Sequence, residues 1–277
     1  MLIDWTKIAL DIYDKIKAEL INFDKKPTLW AILVWNNPES LRYIKQKKKW
    51  ADYVWINFKL LELKEDISEK KLLEYINKVN KDNNISWYII QLPLPKHINK
   101  NNIINSINSD KDIDWFHPIN QWKMLIWDKT WFQSCTPMWI INILKSLDLV
   151  FLGKVVCVIG RSNIVWKPVI ALLINEWATV ICCNSSTQNI KEFTKKADII
   201  IIATWKPKLL KEDMLKKWSI IIDVWFSVID GKIIWDADTE NIDKAWHKIT
   251  PVPGWVWPLT VAMLIKNTLK AYKKEKL

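Results

Sequence analysis

A short stretch in the middle of the chain has the residue types of a phosphate-binding turn. Val155–Ile159 is an apolar run rich in β-branched residues, which is typical of a strand buried on both faces. Gly160, Arg161 and Ser162 interrupt this run, and an apolar segment compatible with a helix follows from about Trp166. A strand, a tight glycine turn and a helix together bring free backbone N–H groups up to a phosphate. The order therefore predicts a nucleotide-binding unit of the Rossmann type.

Polar residues earlier in the chain are placed where a second ligand is expected. Asn37 and Pro38 have the types that cap and begin a helix. On that helix Tyr43 and Lys47 lie four residues apart, so their side chains share a face. A predicted strand ends at Gln91, because the prolines that follow stop further pairing. Ligands of open α/β sheets bind at the carboxyl ends of strands, so Gln91 lies where a ligand is expected.

The elements that must hold these residues alternate between helices and strands. Hydrophobic periodicity predicts helices at 4–22, 37–53, 68–81, 136–147 and 259–274, and strands at 29–34, 56–61, 86–91, 155–159, 178–182, 198–203 and 219–224. The segment 110–133 has a loop-like pattern. This alternation is typical of parallel sheets, and 277 residues suffice for two cores. We therefore expect an α/β fold of two domains, residues 1–137 with the C-terminal helix 259–277, and residues 138–258.

The net charge of +11 has to be weighed against its distribution along the chain. The lysines fall in separate clusters at 45–49, 195–196, 216–217 and 273–276, and no aromatic stacking platform accompanies them. This pattern favours a solvated surface, with attraction of a small polyanion as the alternative. It argues against nucleic acid as a partner.

Other sequence features argue against further classes of protein. No apolar run reaches the roughly 18 residues of a membrane span, and the amphipathic N-terminal segment is unlike a signal peptide. The four cysteines form no Cys-x-x-Cys pair, which is typical of reduced core residues in a cytoplasmic protein. His97, His117 and His247 lack the spacing of metal ligands, so no metal is expected.

Tryptophan is unusually frequent and glycine unusually rare. There are 20 tryptophans and 4 glycines, whereas glycine normally makes up about 7% of a protein. Trp55 stands at the C′ position of a predicted helix, Trp35 and Trp225 follow strands, and Trp166 stands where a nucleotide-binding loop has its last small residue. A side chain at such positions costs about 1–2 kcal/mol in strain. Our hypothesis is that a codon translated here as tryptophan, most simply UGA, means glycine in the source organism. The alternative is a protein that is truly rich in tryptophan.

With glycine at these positions, six segments follow the order of a known family: 43–47, 91–95, 110–118, 135–137, 160–168 and 250–260. Over nearly its full length the chain resembles the bifunctional methylenetetrahydrofolate dehydrogenase/methenyltetrahydrofolate cyclohydrolase family. The resemblance implies two α/β domains flanking a cleft, the second a Rossmann-like NADP-binding domain, with the C-terminal helix returning to the first. It also implies oxidation of 5,10-methylenetetrahydrofolate by NADP, and hydrolysis of the methenyl product to 10-formyltetrahydrofolate for one-carbon metabolism and purine biosynthesis.

The resemblance implies catalytic roles for four residues. Lys47, with a pKa lowered by desolvation, is expected to activate the water of the hydrolysis, and Gln91 to hydrogen-bond and tune this lysine. Asp114 is expected to bind the N–H groups of the pterin, and Tyr43 to stack on the aminobenzoyl ring. By type alone the same residues also fit a solvated lysine, a strand-end glutamine, a turn aspartate and a core tyrosine.

Further contacts follow from the same resemblance. Substrate contacts are implied for Ser40, Pro93, Pro253 and Gly254, and Ser40 fits a structural role equally well. Cofactor contacts are implied for Gly160, Arg161, Ser162, Val165 and Ser185. The implied partners are tetrahydrofolate derivatives, with or without polyglutamate tails, and a second copy of the chain in a homodimer.

The preference for NADP over NAD is predicted from the residues after the second strand of the nucleotide domain. An NAD site of this type places Asp or Glu about 20 residues beyond the glycine loop. Here Asn184, Ser185 and Ser186 follow that strand instead. Arg161 lies next to Gly160, where a guanidinium suits a 2′-phosphate. The alternative is that Arg161 is merely solvated and Ser185 merely ends a strand.

Two rival functions are left open by the residues. A dehydrogenase of the same fold without cyclohydrolase activity is the nearer rival, although Lys47, Gln91 and Asp114 argue against it. The other is a non-catalytic protein that binds a nucleotide or nucleic acid, which the charge and the altered glycine loop suggest.

Overall fold

A computed structural model describes residues 5–35, 37–128, 132, 134–163, 165–230, 232–245, 247–250 and 257–276 of the protein. The chain divides into two compact units. The first unit comprises Ala9–Cys135 together with Trp257–Leu277, and the second comprises Thr136–Val256 together with Met1–Ile8. The C-terminal segment therefore belongs to the unit that the first half of the chain forms.

The first part of the chain alternates between helices and short strands. In order these elements are α1 (Trp5–Leu20), β1 (Thr28–Leu33), α2 (Pro38–Tyr53), β2 (Asn57–Glu62), α3 (Glu69–Lys81), β3 (Tyr88–Ile90), α4 (Lys100–Ser106) and α5 (Pro118–Leu125). The strands form a parallel sheet in the order β2-β1-β3. All three residues of β3 are buried, which explains why this strand reads as a continuous apolar run.

The second part of the chain builds a larger parallel sheet. In chain order the elements of this part are α6 (Cys135–Ser146), β4 (Val155–Ile159), α7 (Trp166–Asn175), β5 (Thr179–Cys183), α8 (Ile190–Thr194), β6 (Ile199–Ile202), β7 (Ile220–Asp223), β8 (Phe226–Ile229), β9 (Lys232–Trp235), α9 (Thr239–Lys244) and β10 (Lys248–Ile249). The last helix, α10 (Trp257–Lys276), belongs to the first unit. The sheet has the order β10-β7-β6-β4-β5, and all its pairs are parallel. These sheets confirm the predicted α/β fold with a Rossmann-like second domain.

The register of the second sheet brings three loops to one edge. Ile159 at the end of β4 lies opposite Cys183 at the end of β5 and opposite Ile202 at the end of β6. The segments that begin at Gly160, Asn184 and Ala203 therefore leave the sheet side by side. This is the edge at which doubly wound sheets bind nucleotides.

The prediction of a loop over 110–133 is wrong in part, because α5 lies within it. His117 caps this helix through Nδ1, which accepts a hydrogen bond from the N–H of Ile119 at 3.2 Å, and Pro118 occupies its first position. Helix α4 and the antiparallel pair of β8 and β9 were also not predicted. All of these elements are short, and a short element contains too few residues to show a clear hydrophobic period.

The C-terminal helix α10 is buried along much of its length. Leu259, Met263 and Leu264 are almost fully inaccessible, and the helix packs against α2. Near its end the hydroxyl of Tyr272 donates to the carbonyl of Lys25. Among the described residues, none of the helices combines the length and the apolar character that crossing a bilayer requires.

Candidate active site

Lys47 is buried in the first unit and is hydrogen-bonded to Gln91. Asn37 caps α2 by accepting a hydrogen bond from the N–H of Ser40 at 2.6 Å, so the helix begins where the sequence predicts. Nζ of Lys47 then donates to Oε1 of Gln91 at 2.9 Å. Only 8% of Lys47 and 6% of Gln91 is exposed. The structure therefore brings together a helix residue and a strand-end residue that are far apart in sequence.

The environment of Lys47 favours a neutral amine. Burial lowers the pKa of Lys47 below its ordinary value of 10.5, because a buried ammonium loses its hydration. Asp114 and Cys135 act in the opposite direction and favour the charged form. The carboxylate of Asp114 and the thiol of Cys135 therefore act electrostatically on the same buried amine.

Cys135 is a buried neutral thiol beside Asp114. Burial raises the pKa of Cys135 well above its ordinary value, and the negative charge of Asp114 raises it further. Hydrogen bonding with the Asp114 carboxylate, in which the thiol is the donor, raises the pKa of Cys135 in the same direction. The carboxylate of Asp114 therefore keeps the thiol protonated.

Asp114 lies on a segment that Asp112 organises. Oδ1 of Asp112 accepts the N–H of Trp115 at 3.0 Å, and Oδ2 accepts the N–H of His117 at 2.8 Å and Nδ2 of Asn120 at 3.0 Å. Asp112 is only 2% exposed, whereas Asp114 is half-buried. The carboxylate of Asp112 thus holds the backbone that follows Asp114.

Burial of Asp112 raises its pKa from 3.8 to about 6. Its hydrogen bonds with His117, Asn120 and Trp115 oppose this shift, and the charge of Asp114 adds to it. Burial is the largest influence, so the ionised form of Asp112 is costly in the folded protein.

Ser40 and Tyr43 lie on the same face of α2 as Lys47, since the three follow a spacing of three and four residues. Ser40 is fully buried, and among the described residues its Oγ has no hydrogen-bond partner. Tyr43 is half-buried. Pro93 is exposed two residues beyond Gln91, whose Nε2 donates to the carbonyl of Leu92 at 2.6 Å.

In the second unit the turn after β4 presents polar groups to solvent. Arg161 and Ser162 are exposed, and Val165 is half-buried. Oγ of Ser162 accepts the N–H of Val165 at 3.3 Å, and its carbonyl accepts the N–H of Trp166 at 3.2 Å. Gly160 donates its N–H to the carbonyl of Cys183 at 2.8 Å, which fixes the turn against β5. These residues fit a dinucleotide phosphate at the start of α7.

Trp166 packs directly against the glycine of this turn. Gly160 has a φ of +145°, and a Cβ at this position would lie only 2.2 Å from Nε1 of Trp166. The indole is 4% exposed, so it fills the space between the turn and the start of α7. This is the close approach for which such loops normally use a small residue.

The loop after β5 supplies hydroxyl groups and no acid. Ser185 is exposed in a turn in which the N–H of Asn184 donates to Oγ1 of Thr187 at 2.9 Å. Cys182, near the end of β5 itself, is also exposed. The expectation that it is a core residue is therefore wrong. The reason is that β5 is an edge strand, so one of its faces is less well covered.

Tryptophan dominates the strained backbone positions. Ten non-glycine residues of the described chain have a positive φ, and six of them are tryptophan: Trp55, Trp115, Trp127, Trp177, Trp205 and Trp218. Trp55 is where the sequence predicts a C′ residue, whereas Trp35 and Trp225 are not in this region. Trp115 is fully buried, and its Nε1 has no hydrogen-bond partner among the described residues.

Three residues of the first unit join the site without having been predicted to: Asp112, Cys135 and Asn267, whose Nδ2 donates to Sγ of Cys135 at 3.7 Å. Cys135 lies in a segment that carries the family resemblance, but its side chain has no individual sequence signal. Pro253 and Gly254 lie outside the described residues. In the part of the chain that is described, no group of three or more histidine, cysteine, aspartate or glutamate side chains is arranged to hold a metal ion.

Comparison with known proteins places both halves of the chain in one family. Residues 3–114 match the tetrahydrofolate dehydrogenase/cyclohydrolase catalytic domain, and residues 134–276 match the NAD(P)-binding domain of the same family. The chain is 42% identical over 276 residues to the bifunctional protein FolD of Nautilia profundicola, covering 98% of this chain and 97% of that protein. It is also 42% identical to the bifunctional protein FolD of a Sulfurihydrogenibium species, covering 99% and 98%.

Solved structures agree with this assignment. The bifunctional FolD methylenetetrahydrofolate dehydrogenase/cyclohydrolase of Campylobacter jejuni superposes with a TM-score of 0.94 at 38% identity, covering 99% of each chain. The dehydrogenase-cyclohydrolase of Trypanosoma brucei, solved with NADP cofactor and an inhibitor, has a TM-score of 0.91 at 28% identity, covering 100% of this chain and 98% of that one.

Proposed function

The chain belongs to the tetrahydrofolate dehydrogenase/cyclohydrolase family, and on this basis we propose how its residues carry the two reactions. The protein is a bifunctional enzyme that oxidises 5,10-methylenetetrahydrofolate with NADP and hydrolyses the 5,10-methenyl product to 10-formyltetrahydrofolate. What we propose is the role of each side chain in these two reactions. The observation that supports these roles most directly is the buried hydrogen bond between Lys47 and Gln91.

Lys47 is the base of the hydrolysis. Its lowered pKa increases the neutral fraction of the amine, which can accept a proton from water beside the methenyl carbon. Gln91 holds the amine through Oε1, and this carbonyl adds no charge that would keep the lysine protonated. The proton accepted by Nζ can then be returned to the folate nitrogen as the C–N bond breaks, and the second proton of the water is released to solvent as the formyl C=O forms.

Asp114, Tyr43 and Ser40 position the folate. The half-buried carboxylate of Asp114 suits the adjacent N–H groups of a pterin, to which it can bind through both oxygens. Tyr43 offers a ring on the same helix face as Lys47. Oγ of buried Ser40 has no hydrogen-bond partner in the described part of the chain, and it is available to a polar group of the substrate, since a buried hydroxyl is costly to leave unpaired. Pro93, Pro253 and Gly254 complete the proposed substrate contacts.

Gly160, Arg161, Ser162, Val165 and Ser185 are proposed to hold NADP. When bound, NADP supplies the acceptor for the hydride that leaves the methylene carbon. The exposed hydroxyl of Ser162, in the turn before α7, suits its phosphates, and the guanidinium of Arg161 suits the 2′-phosphate. The chain's contribution to this step is alignment and exclusion of water.

Replacement of Lys47 tests the division of roles. Lys47→Met should abolish the hydrolysis of methenyltetrahydrofolate and leave much of the NADP-dependent oxidation. The reason is that the hydrolysis needs a base, whereas hydride transfer needs alignment of the folate with NADP. The rates are measured separately with each folate as substrate. Equal loss of both activities would mean that Lys47 only binds folate.

We also infer that glycine occupies most or all of the 20 tryptophan positions in the protein of the source organism, through a codon such as UGA. Three observations support this inference. Six tryptophans have positive φ, the buried indole N–H of Trp115 is unpartnered among the described residues, and Trp166 occupies the space beside Gly160. Each is what a glycine position produces when a large side chain is placed on it.

The intact mass of the protein purified from its source tests the recoding. Glycine at all 20 positions makes the chain lighter by about 2.6 kDa, since each indole side chain adds about 129 Da over the hydrogen of glycine. The tryptophan absorbance near 280 nm should fall in parallel. A mass equal to that of the printed sequence would disprove the inference.

Three further properties are proposed from the family resemblance and the cysteine content. The four cysteines are all free, and a reduced protein of this kind suits the cytoplasm. The enzyme is expected to act as a homodimer and to supply 10-formyltetrahydrofolate to purine biosynthesis. Light scattering of the purified enzyme tests the homodimer, because a mass of one chain would contradict it.

A further inference from the structure

The C-terminal helix places one amide side chain at the point where two parts of the folate site meet. Asn267 lies on α10 and is 1% exposed. Its Nδ2 donates to the carbonyl of Ile113 at 3.2 Å and to Sγ of Cys135 at 3.7 Å. An amide nitrogen carries two hydrogens, so one group can make both bonds.

Both acceptors of Asn267 are adjacent to Asp114. Ile113 precedes Asp114 in the chain, and the charge of Asp114 acts on the thiol of Cys135. Asn267 therefore holds the backbone immediately before Asp114 and contacts the thiol on which the charge of Asp114 acts. The contacts span 154 and 132 residues of sequence.

The same helix also reaches the element that carries the lysine. Helix α10 packs against α2, on which Lys47 lies, and Asp114 influences the charge of Lys47. A single helix of the first unit therefore contacts α2, the carbonyl of Ile113 and the thiol of Cys135.

We propose that Asn267 is a positioning residue, through which the C-terminal helix fixes the Asp114 carboxylate relative to Lys47 for binding of the folate. The inference rests on the proposed roles of Asp114 and Lys47. Asn267 itself does not touch the reacting atoms. Its amide donates to the Ile113 carbonyl and to the Cys135 sulfur, and both of these residues are buried. These two contacts determine where the half-buried carboxylate of Asp114 places its oxygens.

The experiment compares Asn267→Leu with a matched change one residue along the same helix. Thr268 is also fully buried, but its hydroxyl donates to the carbonyl of Leu264 within α10 at 2.9 Å. Asn267→Leu should raise KM for methylenetetrahydrofolate about tenfold, the equivalent of one buried hydrogen bond, and leave KM for NADP unchanged. Thr268→Val should lower stability to a similar extent and leave both KM values unchanged.

A merely structural role of Asn267 gives a different pattern. Loss of stability alone reduces the fraction of active enzyme, and therefore kcat, without changing either KM. The proposal is overturned if Asn267→Leu keeps the wild-type KM for the folate, or if Thr268→Val raises that KM equally. If Asn267→Leu does not fold, the isosteric Asn267→Asp decides, because it keeps the shape and replaces the amide donor by an acceptor. A wild-type folate KM in that variant overturns the proposal.

Asp114→Ala separates this inference from the proposed function. If Asp114→Ala binds folate as tightly as wild type, the role of Asp114 is wrong and the positioning role fails with it. If Asp114→Ala loses folate binding while the Asn267 variants keep it, only the positioning role is wrong.

Discussion

Nζ of Lys47 donates a 2.9 Å hydrogen bond to Oε1 of Gln91, 44 residues further along the chain. Both side chains are buried, and the acceptor is a neutral amide. An ion pair with a carboxylate at this place would stabilise the ammonium, whereas the amide holds the lysine without that charge. The hydrogen bond therefore fixes the position of the amine without opposing the lowering of its pKa.

The pH dependence of the cyclohydrolase should report this lysine. Because burial lowers the pKa of Lys47, the rate should rise with pH through an apparent pKa below 10.5. Gln91→Glu places a carboxylate against the amine, so it should raise the pKa of Lys47 and move the rising limb to higher pH. The measurement is kcat/KM for methenyltetrahydrofolate against pH, corrected for the uncatalysed reaction. An unchanged profile in Gln91→Glu would contradict the role of Lys47 as base.

Asp112 should make the folded protein less stable as its carboxyl ionises. Its pKa is raised from 3.8 to about 6 in the folded state, so the folded protein binds more protons than the unfolded chain in this window. The free energy of unfolding therefore falls as pH rises from 4 to 6. Asp112→Asn should lack this fall, which amounts to roughly 3 kcal/mol at 1.36 kcal/mol per pKa unit.

Urea denaturation at pH 4, 5, 6 and 7 measures the effect of Asp112. The variant also loses some of the hydrogen bonds that Asp112 accepts, which shifts its stability by an amount that does not depend on pH. The informative quantity is thus the slope of the difference between variant and wild type. Parallel stability curves would show that Asp112 is not buried as a costly carboxylate.

Arg161 should decide the choice of cofactor. We expect the wild type to prefer NADP to NAD by at least about tenfold in kcat/KM, which is about 1.4 kcal/mol. Arg161→Ala should weaken NADP and spare NAD, because only NADP carries the 2′-phosphate. Lys167→Ala, which removes another exposed cation close by, is the control and should keep the preference. Equal loss of both cofactors in Arg161→Ala would contradict the assignment.

Glycine at a single strained tryptophan should stabilise the protein. Trp177 has a φ of 64° at the end of α7 and is 77% exposed, so its side chain contributes strain and little packing. Trp177→Gly should raise the free energy of unfolding by about 1 kcal/mol. Trp122 is 61% exposed within α5, and there glycine should destabilise by about 0.5–1 kcal/mol. Denaturant titration of both variants checks the opposite signs, and a loss of stability in Trp177→Gly would contradict the strain.

The sequence by itself determined the features that depend on neighbouring residues. Asn37 and Pro38 predict the start of α2, the apolar runs predict the buried strands, and the turn at Gly160 predicts the nucleotide edge. These signals are local because capping, β-branching and glycine flexibility act within a few residues. The motifs that carry the family resemblance likewise lie in short contiguous segments.

The tertiary structure alone decided which buried groups meet at the site. Asp112 reads as a turn aspartate, Cys135 as a small core residue and Asn267 as one polar position on a long helix. Asn267 and Cys135 meet across 132 residues of sequence, and Asn267 reaches Ile113 across 154. Such contacts leave no spacing pattern in the sequence, because a donor and its acceptor are brought together by the packing of the elements that carry them. The pKa values of Lys47 and Asp112 follow from the same packing, since burial is the largest cause of each shift.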